Sequence, residues 1–529
     1  MKKNLFLIAA GLAVCLSCGE NGGDSTPPTV ISTVPGSGDE EVAREITVTA
    51  TFSEDMDPAT ITGATFLLEG PGGAVSGTVG YDAGTLTASF DPQAELGWKK
   101  VYTARITTGA EDEAGNALAA EYSWSFTTEE PQWELVGGQV DPGASEAEDP
   151  TMMLLGSTPA VGYRYASFIT YLNVFDGSSW GVPETDPTGG LTNATIYRTP
   201  DFCVQGTDVV MAYSHAGDST ANDDSFYDRI FVYRWDQASG WAVQNGGAEI
   251  SIIWNDVIGG ANAWEPSVAC PAAGDPVVAW VEADVAPDPD TEDGVWLSAV
   301  SASSANRSTM LNRNPIDGDY YTSARTVGTA AAPNGDVIVG HWEQHHTDQD
   351  RTDLFVTRYS NGSFTSLGDV VNPDWDSNNI PVPVMAATAT EVYVAYTATV
   401  SNNEYERDAW VQKYDGADWS PLGGGPLTAF GSPDHYNSVE VDLILIDGVP
   451  YAAWAESDQY TGNWIYVAHW DAAAGAWVMD GEQLNTGDQN SADDPSLAFS
   501  PSDGYLYIAF EENTDGHPHI FVKRKLIVY

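Results

Sequence analysis

The stretch Val439-Glu-Val-Asp-Leu-Ile-Leu445, Asp447-Gly448, Pro450-Tyr-Ala-Ala-Trp454-Ala-Glu456, Trp464-Ile-Tyr-Val-Ala-His-Trp470-Asp471 and Gly475-Ala-Trp477 decides the fold. Apolar residues alternate over short runs, and Asp-Gly or Gly marks each turn, which is the pattern of short antiparallel strands. With Trp419 before it, the stretch reads as one four-stranded sheet. The phrase Ala-Trp454-Ala-Glu456 returns as Ala279-Trp280-Val-Glu282 and Ala509-Phe510-Glu511. Weaker copies are Val392-Tyr-Val-Ala-Tyr396, His341-Trp342-Glu343, Val209-Val-Met-Ala-Tyr213 and Pro159-Ala-Val-Gly-Tyr163. These make seven copies, with closing tryptophans 47 residues apart from Trp133 to Trp180 and 58 apart from Trp419 to Trp477. A repeat of that length with four strands each is a propeller blade.

Working outward, the last copy stops after its third strand, His519-Ile-Phe-Val-Lys-Arg524, while Trp133-Glu-Leu-Val-Gly-Gly138 matches a fourth strand. The first strand of the domain therefore completes the last blade and leaves no open sheet edge. Phe364 replaces the closing tryptophan of the fourth blade, and the third has no clear equivalent near Asn306.

The chain has 529 residues, with 52 Gly, 30 Pro and almost no helical periodicity, so the expected class is all-β in more than one domain. Twenty basic residues stand against 76 acidic ones, a net charge of −56. Such a surface repels nucleic acid and anionic lipid. It suits either cation binding or a solvated face in salty surroundings.

Met1-Lys2-Lys3 followed by the apolar run Leu5–Val14 has the form of a secretion leader too short to span a bilayer. Val14-Cys15-Leu16-Ser17-Cys18-Gly19 resembles a bacterial lipoprotein signal, although Cys15 stands where that family prefers Leu. The resemblance implies export, removal of residues 1–18, and lipidation of Cys18, so that the membrane is met only through the anchor. The plain alternative is secretion with ordinary cleavage. Residues 19–27 read as a flexible spacer.

Residues 28–129 form a separate unit. Phe52-Ser-Glu-Asp-Met-Asp-Pro58, Tyr102-Thr-Ala-Arg-Ile-Thr-Thr108, Asp112-Glu-Ala-Gly-Asn116 and Trp124-Ser-Phe-Thr-Thr128 resemble the bacterial Ig-like domain of surface and S-layer proteins. The resemblance implies a β-sandwich used as spacer or adhesion module, with no catalytic residues. Asp112–Asn116 reads as a hairpin turn, and Glu54, Asp55 and Asp57 read as a strand-capping turn rather than a metal loop. The expected order is thus leader, spacer, Ig-like sandwich and a seven-bladed propeller over 131–529.

In a propeller, turns between first and second strands and between third and fourth strands share one face; here they are tight. The remaining connections share the other face and are long, as in 181–198, 242–264, 370–380 and 423–437. Long loops on a rigid scaffold are where binding groups sit. The Ig-like module enters at a fourth strand, which points the long-loop face away from the membrane. That face carries Trp254, Trp264, Tyr321, Trp375, His435 and Tyr436, with Arg198, Arg325 and Glu265 nearby. Rings beside carboxylates suit sugars or peptides, and the alternative is packing of the rim.

Glu148-Asp149-Pro150, Glu265-Pro266 and Asp493-Asp494-Pro495 recur at the start of inner strands. Asp149, Glu265 and Asp494 either offer oxygen ligands to Ca²⁺ at the channel mouth or accept backbone hydrogen bonds there. Asp288–Gly294 reads as an acidic hairpin loop. His341-Trp-Glu343-Gln-His345-His346 lacks His-Glu-x-x-His spacing and lies on a strand, so it is no zinc helix. Cys203 and Cys270 hold the same position in adjacent blades and are a candidate disulfide.

A sialidase-like propeller clusters arginines on a substrate carboxylate. Arg164, Arg198 and Arg325 are available, but the Ser-x-Asp-x-Gly-x-x-Trp turn of that family is absent, since Asp176-Gly-Ser-Ser-Trp180 and Asp415-Gly-Ala-Asp-Trp419 are one residue short. No catalytic set can be placed. The sequence thus reads as a surface lipoprotein that binds a glycan or another surface protein. The alternatives are a propeller glycoside hydrolase or lyase, or a structural component of the envelope.

Overall fold

The computed structural model describes residues 24–528 apart from 144, 167–168, 186–199, 217–227, 245–262, 284–292, 302–304, 309–320, 346–351, 369–370, 372–381, 400–406, 430–437, 458–461 and 488–489. The described residues are all strand, turn and loop. Two compact units meet in sequence between Pro131 and Gln132.

The first unit is a sandwich of two four-stranded sheets. One orders Val30–Val34, Val48–Phe52, Thr87–Pro92 and Gly77–Asp82; the other orders Gly73–Ala74, Phe66–Gly70, Val101–Ile106 and Tyr122–Thr127. Alternate residues of Val48–Phe52 and Phe66–Gly70 turn inward, so Phe52, Phe66, Phe90, Trp124 and Phe126 fill the space between the sheets. The Asp112 turn forms as read: its Oδ1 accepts the amides of Ala114 and Asn116, each at 2.8 Å. Asp57 likewise caps a turn through the amide of Ala59.

The second unit is a seven-bladed propeller, as the repeat requires. The inner strands are Ala147–Leu155, Asp201–Gln205, Ala263–Ala269, Tyr321–Ala331, Val384–Ala387, Ser438–Ile446 and Ala492–Ser500, which number blades 1 to 7. Each inner strand packs against the next, and that of blade 7 packs against that of blade 1. Blade 7 borrows its fourth strand, Glu134–Gln139, which runs antiparallel to Pro518–Leu526 with Lys523 opposite Leu135 and Arg524 opposite Glu134. A parallel pairing of Asp293 with Ser323 also joins blades 3 and 4 into one sheet. Blade 3 does have a fourth strand, Ala305–Ser308, without an aromatic residue.

Neighbouring blades are clasped at the outer strands by the recurring tryptophan. Trp180 Nε1 donates to the carbonyl of Val136, Trp419 to Leu367, Trp477 to Leu422 and Trp133 to Asp480, over 2.7 to 3.1 Å. Each acceptor precedes a glycine with positive φ, namely Gly137, Gly368, Gly423 and Gly481. A Cβ on Gly423 would stand 3.3 Å from the Trp477 ring, so the glycine serves both the backbone angle and the ring's close approach. The phrase Trp-x-x-Leu-Gly is therefore a blade-to-blade clasp.

The inner strands carry a second set of links. Asp201 Oδ2 of blade 2 accepts the Val268 amide of blade 3 at 2.7 Å, and Ser267 Oγ accepts the Thr329 amide of blade 4 at 3.0 Å. Asp442 Oδ2 of blade 6 accepts the Leu497 amide of blade 7 at 2.6 Å, and Ser496 Oγ accepts the Met152 amide of blade 1 at 3.0 Å. Between blades 4 and 5 the backbones themselves meet, since a Cβ on Gly328 would fall 1.8 Å from the Pro383 carbonyl oxygen. Cys203 and Cys270 are bonded, with Cα atoms 5.7 Å apart, and tie blade 2 to blade 3.

At the closing strand, buried His519 contacts Asp141 Oδ2 at 3.0 Å and Asp515 Oδ1 at 3.1 Å. Burial opposes the charged ring, but the two carboxylates outweigh it and raise the His519 pKa. A raised histidine pKa stabilises the fold fully below the unfolded value and loses that contribution as pH rises through the folded one.

Two outcomes follow in urea unfolding. Trp477→Phe should cost about 1 kcal/mol through the lost hydrogen bond, and Gly423→Ala about 1–3 kcal/mol through backbone strain; an unchanged midpoint would refute the clasp. His519→Gln should destabilise the protein most at pH 5–6, with the deficit shrinking as pH rises above about 7. A deficit constant with pH would show that the ring stays neutral.

Candidate functional site

All seven inner strands line one central cavity of about 600 Å³. A recurrent bulge shapes its wall. Pairing between first and second strands slips between Glu148 and Thr151, Trp264 and Ser267, Ala324 and Val327, Ser438 and Val441, and Asp493 and Ser496. In three blades the bulged residue is an acid with positive φ before proline: Asp149, Glu265 and Asp494. The extra residue re-aims the side chain, which is what a bulge does, and all three acids line the cavity.

The wall has two unlike sectors. Asp149, Asp201, Glu265, Glu440, Asp442 and Asp494 form an acidic sector, and Val327, Pro383, Val384 and Met385 an apolar one. Arg407, at the start of a third strand in blade 5, also lines the cavity. Arg164 approaches from blade 1 but is held by Glu148 at 2.9 Å and Asp149 at 2.8 Å.

Burial is the main cause of the titration behaviour of these acids. It pushes the Asp442 carboxyl up to about 6 and Glu440 to about 7, the latter helped by the charge of Asp493. Asp494 is raised well above its ordinary range by burial and by Glu440, and Asp201 is raised by burial.

The Ca²⁺ expectation for Asp149, Glu265 and Asp494 needs correction. They stand on blades 1, 3 and 7, around the wall rather than at one point, and Asp149 is already paired with Arg164. Among the described residues, the group of three carboxylates with oxygens within 4.8 Å of one another is Asp24, Glu54 and Asp112, in the Ig-like unit.

The carboxylates that end second strands do different work. Glu456 accepts hydrogen bonds from Trp454 Nε1 at 2.8 Å, the Ala429 amide at 2.8 Å and Thr428 Oγ1 at 3.0 Å. Glu512 accepts from the Thr486 amide and hydroxyl, both at 2.7 Å, and from Asn490 at 2.6 Å. They anchor the connections that lead to blades 6 and 7. Register shows that Glu512, not Glu511, is the counterpart of Glu456; Glu511 lies opposite Asp493 instead. In blade 4, His341 Nε2 meets Glu343 Oε1 at 2.8 Å inside the strand Val337–His345, a buried pair and no zinc helix.

Several expected ligand residues fall outside the description. Arg198, Trp254, Trp375, His435 and Tyr436 lie outside the described residues, as does Cys18. Trp264, Tyr321 and Arg325 lie on inner strands, and their side chains are not described. The sequence reading missed Asp201, Glu440, Asp442 and Arg407. Pro200-Asp201 was a usable signal, because it repeats the proline-acid pair in reversed order at an inner-strand start.

Residues 24–128 match the bacterial Ig-like domain family. Comparison with curated proteins finds no match. Among solved structures, a Trypanosoma rangeli sialidase aligns with TM-score 0.42 and 11% identity over 75% of this chain and 60% of that one. The same sialidase in complex with the inhibitor DANA aligns at 0.39 and 11%, over 62% and 55%. A polysaccharide lyase, an ulvan lyase, aligns at 0.44 and 11%, over 74% and 95%. The chain therefore spans between 55% and 60% of those sialidases' length. At these values the comparisons say nothing of this chain's chemistry. Among the described residues, no helix is long and apolar enough to cross a membrane.

Glu456→Ala should strand the Thr428 and Ala429 donors at a cost of about 1–3 kcal/mol. Amide exchange at Ala429 should then accelerate at least tenfold while the sheet strands keep their protection. Unchanged exchange would show that the carboxylate does not hold this connection.

Proposed function

We propose that this chain is an exported surface protein, lipid-anchored at Cys18, whose Ig-like module carries a propeller that binds a glycan or another surface protein. The observation that carries the reading is the two-sector cavity: carboxylates that accept hydroxyl or amine protons face an apolar wall of Val327, Pro383, Val384 and Met385. The connections that lead into its acidic rim hold the aromatic residues Trp254, Trp264, Trp375 and Tyr436, with Tyr321, His435, Arg198 and Arg325. Long loops on a rigid ring are suited to recognition.

The charge balance shapes the ligand class. Six described wall acids oppose Arg407, so a neutral glycan or a basic protein segment is favoured over a sialate or uronate. The same balance weighs against the second reading, a sialidase-like hydrolase or a lyase of acidic polysaccharide, which needs unpaired arginines on a carboxylate; Arg164 is engaged by Glu148 and Asp149. A structural role in an envelope layer is compatible with the Ig-like module alone.

A glycan array probed with the mature chain tests this directly. Neutral glycans should be retained, and Glu265→Gln with Asp494→Asn should weaken retention roughly tenfold, one hydrogen bond's worth. Release of sialic acid or of unsaturated uronate products would instead establish the enzyme.

A further inference from the structure

The seam that closes the ring, where blades 6, 7 and 1 meet, concentrates carboxylates. Glu440 comes from blade 6, Asp493, Asp494 and Glu511 from blade 7, and Glu148 and Asp149 from blade 1. The Asp494 amide donates to Glu440 Oε2 at 3.3 Å, and Asn463 of blade 6 reaches Asp493. Arg164 is the cation set among them, bound to Glu148 and Asp149. The other charged groups that face the seam are Arg407 of blade 5, which feels Glu440, Asp442 deeper on blade 6, and Glu146 beside Glu148.

Glu511 makes the arrangement unusual. It stands opposite Asp493 as Val281 stands opposite Trp264 in blade 3, and blade 6 has Ala455 at this place of the repeat. A carboxyl thus occupies a position that two other blades fill with an apolar side chain. Six carboxylates around Arg164 cannot all ionise at such spacing inside a protein.

We propose that this seam is a proton-loaded latch: the closed ring holds protons among these carboxyls at neutral pH, and their loss at alkaline pH loosens the seam and the cavity wall it forms. The direction of titration agrees. Burial first, then Asp493 and Asp149, pushes Glu511 up to about 8, and Glu440 and Asp494 are raised as described above. Carboxyls raised in the folded state contribute stability at low pH that is lost as pH climbs from the unfolded carboxylate range, about 4, through about 8. Each additional proton held by the native state makes the unfolding constant grow tenfold per pH unit. The latch does not depend on which ligand the cavity takes.

The test uses the full chain in EDTA. Protons released on urea unfolding at pH 7 are counted for the wild type and for Glu440→Gln with Glu511→Gln. The wild type should release about one proton more than the variant, and the variant should be the more stable at pH 8.5 and equal at pH 5. Should the double variant fail to fold, Glu511→Ala, the residue blade 6 carries there, reads the same difference. Equal proton release, or a variant less stable than wild type at pH 8.5, would overturn the latch, the latter by showing that the ionised carboxylates are stabilising.

Discussion

The propeller depends on a hydrogen bond made over and over: an indole N–H from one blade to a carbonyl of the blade before, over a glycine that no other residue replaces cheaply. Blades 7 and 1 use it as blades 5 and 6 do, with Trp133 on Asp480 and Trp180 on Val136. That continuity turns a row of sheets into a closed ring, because Trp133 and Val136 flank the same borrowed strand. A blade alone buries one face; only its neighbour covers the other. The clasp therefore works with the hydrophobic seams beneath it, such as Tyr393, Val411 and Trp454 between blades 5 and 6.

Closing the ring brings seven strand starts to one axis, and the bulge before each fixes what faces inward. In the repeat, proline follows an acid at Asp149, Glu265 and Asp494, and the backbone there adopts positive φ. The strain is tolerable only where neighbouring strands hold the backbone on both sides. Fold and cavity are thus one construction. The bulge that staggers the inner strand also delivers the carboxylate, and the layer below uses Asp201, Ser267, Asp442 and Ser496 to stitch blade to blade.

The architecture was legible in the sequence because its signals are local and repeated. Strand alternation, the Asp-Gly turns and the tryptophan spacing each occur within a few residues, and repetition averages away their noise. The strand after Trp133 was legible for the same reason: it matches other fourth strands. The cavity was legible only in part. Asp149, Glu265 and Asp494 share a motif, whereas Glu440, Asp442 and Arg407 reach the cavity through register and through blade order, which no local pattern encodes. The Glu511–Glu512 pair makes the point in a single dipeptide. Composition cannot say which of two adjacent acids anchors a connection and which faces the seam; the pleat decides.

Protection of the borrowed strand against amide hydrogen exchange bears most directly on the closed ring. If Glu134–Gln139 completes blade 7, its paired amides should exchange as slowly as those of Tyr505–Asn513 and Pro518–Leu526, within about tenfold, and should open only with the whole propeller. Exchange of Glu134–Gln139 at the rate of a free loop, while the rest of blade 7 stays protected, would mean that the ring is open and that the account of its cavity fails with it.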